Sequence, residues 1–141
     1  MAEWRERMYK EIREVEFSKT INSPEKIMAF FTSEFNKLIE PIEKEHPDVC
    51  HIKKSDSRVD FSIGKSSLEL VNDFEDNGIK VYISRISSNR GEKQQWGTIK
   101  IEEVTYFEQY LPAIDKGKRI FLDQNLVDDL FEKTFATTWL F

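Results

Sequence analysis

The sequence predicts an α+β protein: an antiparallel sheet of about four to five strands in meander order, with N-terminal helices and a C-terminal helix packed on one face. Three observations carry this. Apolar residues recur at helical spacing over the first 45 positions, the period changes to two from Arg58, and a helical pattern returns after Leu122. A length of 141 residues suits a single domain spanning residues 1–141. A chain of this size can bury roughly two thirds of its unfolded surface. Eleven Phe, four Tyr and three Trp supply bulky side chains for that core.

The first helix is read from Trp4, Met8, Ile12 and Val15, spaced by four and three residues. Its other face carries charges of both signs, and Thr20-Ile21-Asn22 breaks the pattern. Ser23-Pro24-Glu25 starts the second helix, with Ser as N-cap, Pro at the first helical position and an acid in the first turn. The stripe Ile27, Phe31, Phe35, Leu38 and Ile42 follows. Pro41 within it either kinks the helix or ends it near Ile39, and Pro47 stops the segment.

Val59, Phe61 and Ile63 then alternate with Arg58, Asp60 and Ser62, and Gly64-Lys65-Ser66 turns the chain. Asn77-Gly78 signals a two-residue hairpin loop, which pairs Glu75 with Lys80, Phe74 with Val81 and Asn72 with Ile83. That register places Leu68, Leu70, Phe74, Val81 and Ile83 on one face. A further strand is expected from Thr98 to about Phe107, with a helical alternative for Val104–Leu111. Lys118–Leu122 reads as a short strand, and Asp123 or Asn125 caps a closing helix carrying Leu126, Val127, Leu130, Phe131 and Phe135.

Composition narrows the functional classes. No apolar run approaches the roughly 20 residues of a membrane-spanning helix, and the amino terminus is too charged for a signal peptide. A single cysteine forms no intramolecular disulfide. A soluble, cytoplasmic protein is expected. The net charge of −5 is uneven: residues 1–52 hold 8 basic and 11 acidic side chains, residues 53–100 hold 9 and 7, and residues 101–141 hold 4 and 8. Such an acidic balance disfavours anionic membranes and nucleic acid as partners.

The stretch "EHPDVCH", residues 45–51, holds both histidines and the cysteine. Zinc requires three or four converging ligands, and this spacing matches no standard paired-ligand pattern. If the chain is extended there, Cys50 and His51 point to opposite sides. A Cys50–His46 nucleophile pair lacks a flanking oxyanion signature. The acids Glu102-Glu103, Asp128-Asp129 and Asp73/Glu75/Asp76 read as solvated or turn residues. No phosphate-binding glycine loop occurs. No cofactor, metal or catalytic residue is therefore assigned.

The strongest binding candidate lies within residues 79–100, where Lys80, Arg85, Arg90, Lys93 and Lys100 face only Glu92. Tyr82, Arg85, Arg90, Lys93, Gln95 and Trp96 are taken as its binding residues, because exposed aromatic and Arg side chains make interface hot spots. The alternative is that Trp96 packs beneath its own loop. The terminal Trp139-Leu140-Phe141 docks either on the core or on a partner. The functional expectation is a small non-enzymatic protein acting by protein–protein interaction, as an adaptor, inhibitor or immunity-type protein. Two alternatives stand beside it. One is a metal- or cysteine-dependent hydrolase using His46, Cys50 and His51; the other is a single-stranded nucleic-acid binder through residues 79–100. The open edges of a meander would also allow a homo-oligomer.

Overall fold

The computed structural model describes residues 3–84, 94–109 and 119–136. Among these, the chain runs α1 (Glu3–Thr20), α2 (Pro24–Glu45), β1 (Cys50–Lys54), β2 (Arg58–Ile63), β3 (Ser66–Asp73), β4 (Gly78–Ser84), β5 (Gln94–Ile101), β6 (Thr105–Gln109), β7 (Arg119–Phe121) and α3 (Gln124–Phe135). The strands form one antiparallel sheet in the order β1-β2-β3-β4-β5-β6-β7, so every strand pairs with its neighbour in sequence. The α+β class and the antiparallel sheet are as expected, whereas the strand count is seven rather than four or five.

Both additional strands have a physical explanation. β1, "CHIKK", has a burial pattern in which only Cys50 is inside, so it lacks the alternation that marks a half-buried strand. The strand expected from Thr98 to Phe107 is a hairpin: β5 starts at Gln94, and Glu102, Glu103 and Val104 turn the chain into β6. That turn contains no Gly, Pro, Asn or Asp to announce it. Thr105–Gln109 is strand rather than helix, while Tyr110 and Leu111 lie outside the described residues.

The Asn-Gly hairpin is shifted from the expected register. Asp73 pairs with Gly78, Asn72 with Ile79, Leu70 with Val81 and Leu68 with Ile83, leaving a four-residue loop, Phe74 to Asn77. Asp73 explains the shift: its carboxylate accepts the backbone N–H groups of Glu75 (3.2 Å) and Asp76 (3.4 Å), an Asx-type closure that opens the loop early. Asn77 takes the left-handed conformation (φ 47°) and donates from Nδ2 to the Ile101 carbonyl at 3.1 Å. Gly78 is drawn into the strand, where a side chain would sit 2.6 Å from the Ile99 carbonyl oxygen. The slip is an even number of residues, so Leu68, Leu70, Val81 and Ile83 keep their shared face. Phe74 does not join them and is 76% exposed.

One sheet face carries Val59, Phe61, Ile63, Leu68, Leu70, Ile79, Val81, Ile83, Ile99 and Phe107, all buried. Against it lie Ile27, Phe31, Phe35 and Ile39 of α2 and Leu126, Val127, Leu130, Phe131 and Phe135 of α3. Five phenylalanines meet at the centre: Phe131 stands edge-on to Phe31, Phe35 and Phe61, with ring centroids 6.1, 5.7 and 6.0 Å apart, and Phe135 lies 5.8 Å from Phe35. Burying each ring is worth about 1.5–3 kcal/mol. The edge-on pairs add roughly 0.5–1.5 kcal/mol each.

Both packed helices are capped as their sequences imply. The Ser23 hydroxyl accepts from the Lys26 N–H at 3.2 Å, and the Asp123 carboxylate accepts from the Leu126 N–H at 2.9 Å. α2 runs through Pro41 as one helix of 22 residues. Pro41 removes one internal hydrogen bond without ending it.

The N-terminal helices do not both pack, and this corrects the expected layer. Among the described residues, the contacts that anchor α1 lie at its C-terminal end: Ser18 is buried, Phe17 stands edge-on to Phe30 of α2 at 5.3 Å, and Thr105 donates to the Ile21 carbonyl just beyond the helix at 2.7 Å. The expected apolar stripe of α1 is otherwise in solvent, with Trp4 56%, Met8 40% and Ile12 51% exposed. The edge strand β1 exposes Lys53 and Lys54, a familiar guard against edge-to-edge pairing.

Candidate functional site

Strand β1 separates the groups of "EHPDVCH". Cys50 pairs with Ile63 and faces the core, so His51, paired with Ser62, projects on the other side of the sheet. His51 Nε2 lies 2.9 Å from the Asp48 carbonyl, and the backbone N–H of His46 caps α2 by donating to the Ile42 carbonyl at 2.7 Å. Burial pushes the Cys50 thiol above its ordinary range, and the negative charge of Glu43 adds to this. A thiol held protonated is a poor nucleophile. Among the described residues, no three of His, Cys, Asp and Glu gather as metal ligands.

Of the binding residues taken from residues 79–100, Arg85, Arg90 and Lys93 lie outside the described residues. Tyr82 and Gln95 are cross-strand partners on β4 and β5. They continue a polar row across the outer face of the sheet, from Lys53 through Asp60 and Glu69. In that row the guanidinium of Arg58 lies 3.0 Å from Asp60 and 3.4 Å from Glu69, between two carboxylates that sit directly opposite each other.

Trp96 goes elsewhere. The β4–β5 register shifts between Val81 and Tyr82, leaving Trp96 as the extra residue of a β-bulge. The bulge turns the indole to the helix side, where it packs against the core and lies under Lys133 of α3, whose Nζ is 5.5 Å from the ring centroid. Tyr82 and Trp96 therefore do not share a surface. Lys80 is 3.8 Å from Asp73 and Lys100 is 3.3 Å from Glu108, so these two cations face carboxylates.

A different concavity is built by the helices. Leu38 and Ile42, one turn apart on α2, face Phe131 and Phe135, one turn apart on α3, with Ile63 of β2 beneath. The groove has a volume of about 600 Å³. This lies within the range of clefts that take a ligand or a few anchoring side chains. Its walls are aliphatic and aromatic, and its polar residues sit at the ends: His46 at the close of α2, Asp128 and Glu132 one turn apart on α3. Among the described residues, no Lys or Arg lines it. Glu34, one turn before Leu38, accepts from Gln124 Nε2 at 3.4 Å and so ties α2 to the start of α3.

The apolar groove residues Leu38, Ile42, Ile63, Phe131 and Phe135 all belong to helical stripes or strand alternation visible in the sequence. What the sequence could not show is that two stripes fail to close on each other at this end. The signal available was Leu38, which extends the α2 stripe beyond the positions needed to meet the sheet; it remains 40% exposed. Comparison of the chain with protein-family models, curated proteins and solved structures found no match.

Proposed function

We propose that this is a small, non-enzymatic cytosolic protein acting by protein–protein contact, of the adaptor, inhibitor or immunity type, and that the α2–α3 groove receives its partner. The observation that carries the reading is an apolar groove whose charged rim, among the described residues, is formed by Asp128 and Glu132. Its chemistry suits a helix or loop presenting one or two bulky apolar anchors flanked by Lys or Arg. Anchors that fill such a pocket dominate binding energy, and the flanking cations would meet Asp128 and Glu132. The net charge of −5 would add steering toward a basic partner.

The hydrolase alternative draws no support from a buried, protonated Cys50 on the opposite side of the sheet from His51. The single-stranded nucleic-acid alternative draws none from Lys80 and Lys100, which face carboxylates.

The test is a photo-crosslinking residue at Leu38, activated in the native host, followed by peptide identification. The expected adduct is a segment of another protein with an apolar anchor and basic neighbours, and Glu132→Lys should weaken its capture. Crosslinks confined to the chain's own residues 137–141, or capture indifferent to Glu132→Lys, would defeat the reading.

A further inference from the structure

Ala136, the C-cap of α3, lies in the wall of the α2–α3 groove, and the chain runs on from it as Thr137-Thr138-Trp139-Leu140-Phe141. These five residues lie outside the described residues, but their sequence and their point of departure are both informative. They hold three consecutive bulky apolar side chains and no charge. Leu38 and His46 bound the groove along α2, about 12 Å apart at 1.5 Å per residue. A segment leaving Ala136 places Trp139 up to about 10 Å away and Phe141 up to about 17 Å away. Every part of the groove is therefore within reach, with no element of the fold displaced.

Resting on the reading of the groove as a partner site, we infer that residues 139–141 occupy it while no partner is bound, and that the partner binds by displacing them. The tether makes this an intramolecular contact, so the segment competes at a high effective concentration at any concentration of the chain. Its match to the groove is only half complete. The walls of Leu38, Ile42, Phe131 and Phe135 receive apolar groups, but the segment has no Lys or Arg to offer Asp128 and Glu132. An uncharged apolar stretch of another protein would meet a tethered rival of equal chemistry and lose. An anchor flanked by cations matches both walls and rim, and gains the advantage that displacement requires. The segment thereby sharpens selection for basic partners, because the wrong occupant is excluded as well as the right one favoured.

The test uses the purified full chain with no partner present. A photo-crosslinking residue replaces Leu38, isotope-labelled and unlabelled chains are mixed in equal amounts, and the irradiated product is digested and identified. The expected adduct lies on Trp139, Leu140 or Phe141 of the same chain, with no mixed-isotope pairs. A second measurement leaves the groove residues unaltered and follows the neutral apolar dye Nile red. Trp139→Ser with Phe141→Ser should tighten dye binding about threefold or more, since apparent affinity scales with the fraction of chains whose groove is free. Circular dichroism is read on that variant, and the crosslink does not depend on its folding. Adducts on other segments, mixed-isotope adducts that make the occupant a second copy, or dye affinity unchanged in a folded variant would each overturn the inference. Capture of a partner in the host stands apart from all three. Adducts confined to residues 139–141 in the host as well would uphold the occupancy and remove the partner instead, so the two failures are told apart.

Discussion

Replacing Gly97 with alanine tests the sheet at its most crowded point. A Cβ there would meet the Glu108 carbonyl oxygen far inside contact distance and the Phe107 Cζ at 2.5 Å. Phe107 could turn aside at some cost in packing. The carbonyl cannot, because β5 and β6 are paired across Gly97 and Gln109. Overpacking of a filled core costs about 1–3 kcal/mol. Parting the two strands enough to admit a methyl weakens one or two ladder hydrogen bonds at roughly 1 kcal/mol each. The stiffer unfolded chain returns about 0.5–1 kcal/mol. The net loss is about 3 kcal/mol, which corresponds to roughly 10 °C in Tm for a domain of this size. Urea unfolding followed by circular dichroism should show a lower midpoint at unchanged slope. Gly64→Ala is the comparison: Gly64 is exposed with φ 61°, so the variant should lose only about 1–2 kcal/mol of backbone strain. A Gly97→Ala protein within about 0.5 kcal/mol of wild type would refute the reasoning, as would Gly64→Ala proving the worse of the two.

Further outcomes are expected elsewhere. Phe131→Leu, which keeps an apolar side chain but removes the edge-on contacts to Phe31, Phe35 and Phe61, should cost about 1–2 kcal/mol by urea titration, and Phe131→Ala about 3–5 kcal/mol. Asp123→Ala removes the acceptor for the Leu126 N–H and should cost about 1 kcal/mol, largely restored by Asp123→Ser. Cys50 should react with iodoacetamide at pH 8 at least ten times more slowly than an exposed thiol of about the ordinary pKa. Because the folded state raises that pKa, its contribution to stability is complete below the unfolded thiol's pKa, about 8.5, and declines as pH rises through the folded value. Cys50→Ala should flatten that alkaline decline in a pH series of unfolding free energies.

How much was legible in the sequence varied with the physics of each element. Caps and amphipathic stripes act over a few residues, so the start of α2 at Ser23 could be read directly and that of α3 narrowed to Asp123 or Asn125, of which Asp123 is the cap. The face of β3 and β4 was legible too, since alternation survives any even slip in register. The register itself was not: it depended on a side-chain closure by Asp73 competing with the Asn-Gly turn. β1 was missed because an edge strand has little to bury, and Ile52 is 37% exposed. Trp96 was taken from the sequence as a binding residue, but the direction of its side chain depends on a bulge set by pairing with β4, which no local pattern encodes. For α1, periodicity identified a helix and a stripe; whether a stripe finds cover is decided by distant parts of the fold. The groove lay beyond reach for the same reason.

The sequential strand order also bears on how the protein is made. Each strand's partner has already left the ribosome when it emerges, so the sheet can lengthen by one hairpin at a time during synthesis, without waiting for a distant segment. α2 is available from the start to shelter β1 and β2, which it contacts. α3, the last element, covers β3 and completes the phenylalanine centre around Phe131. Until α3 emerges, therefore, the growing chain lacks the cover that this helix gives β3. That interval is when a nascent chain is most exposed to aggregation. A premature stop before Asp123 would release a product in which Leu68 and Leu70 of β3 lack the cover of α3, one the cell's quality control could distinguish from the finished protein by that face alone.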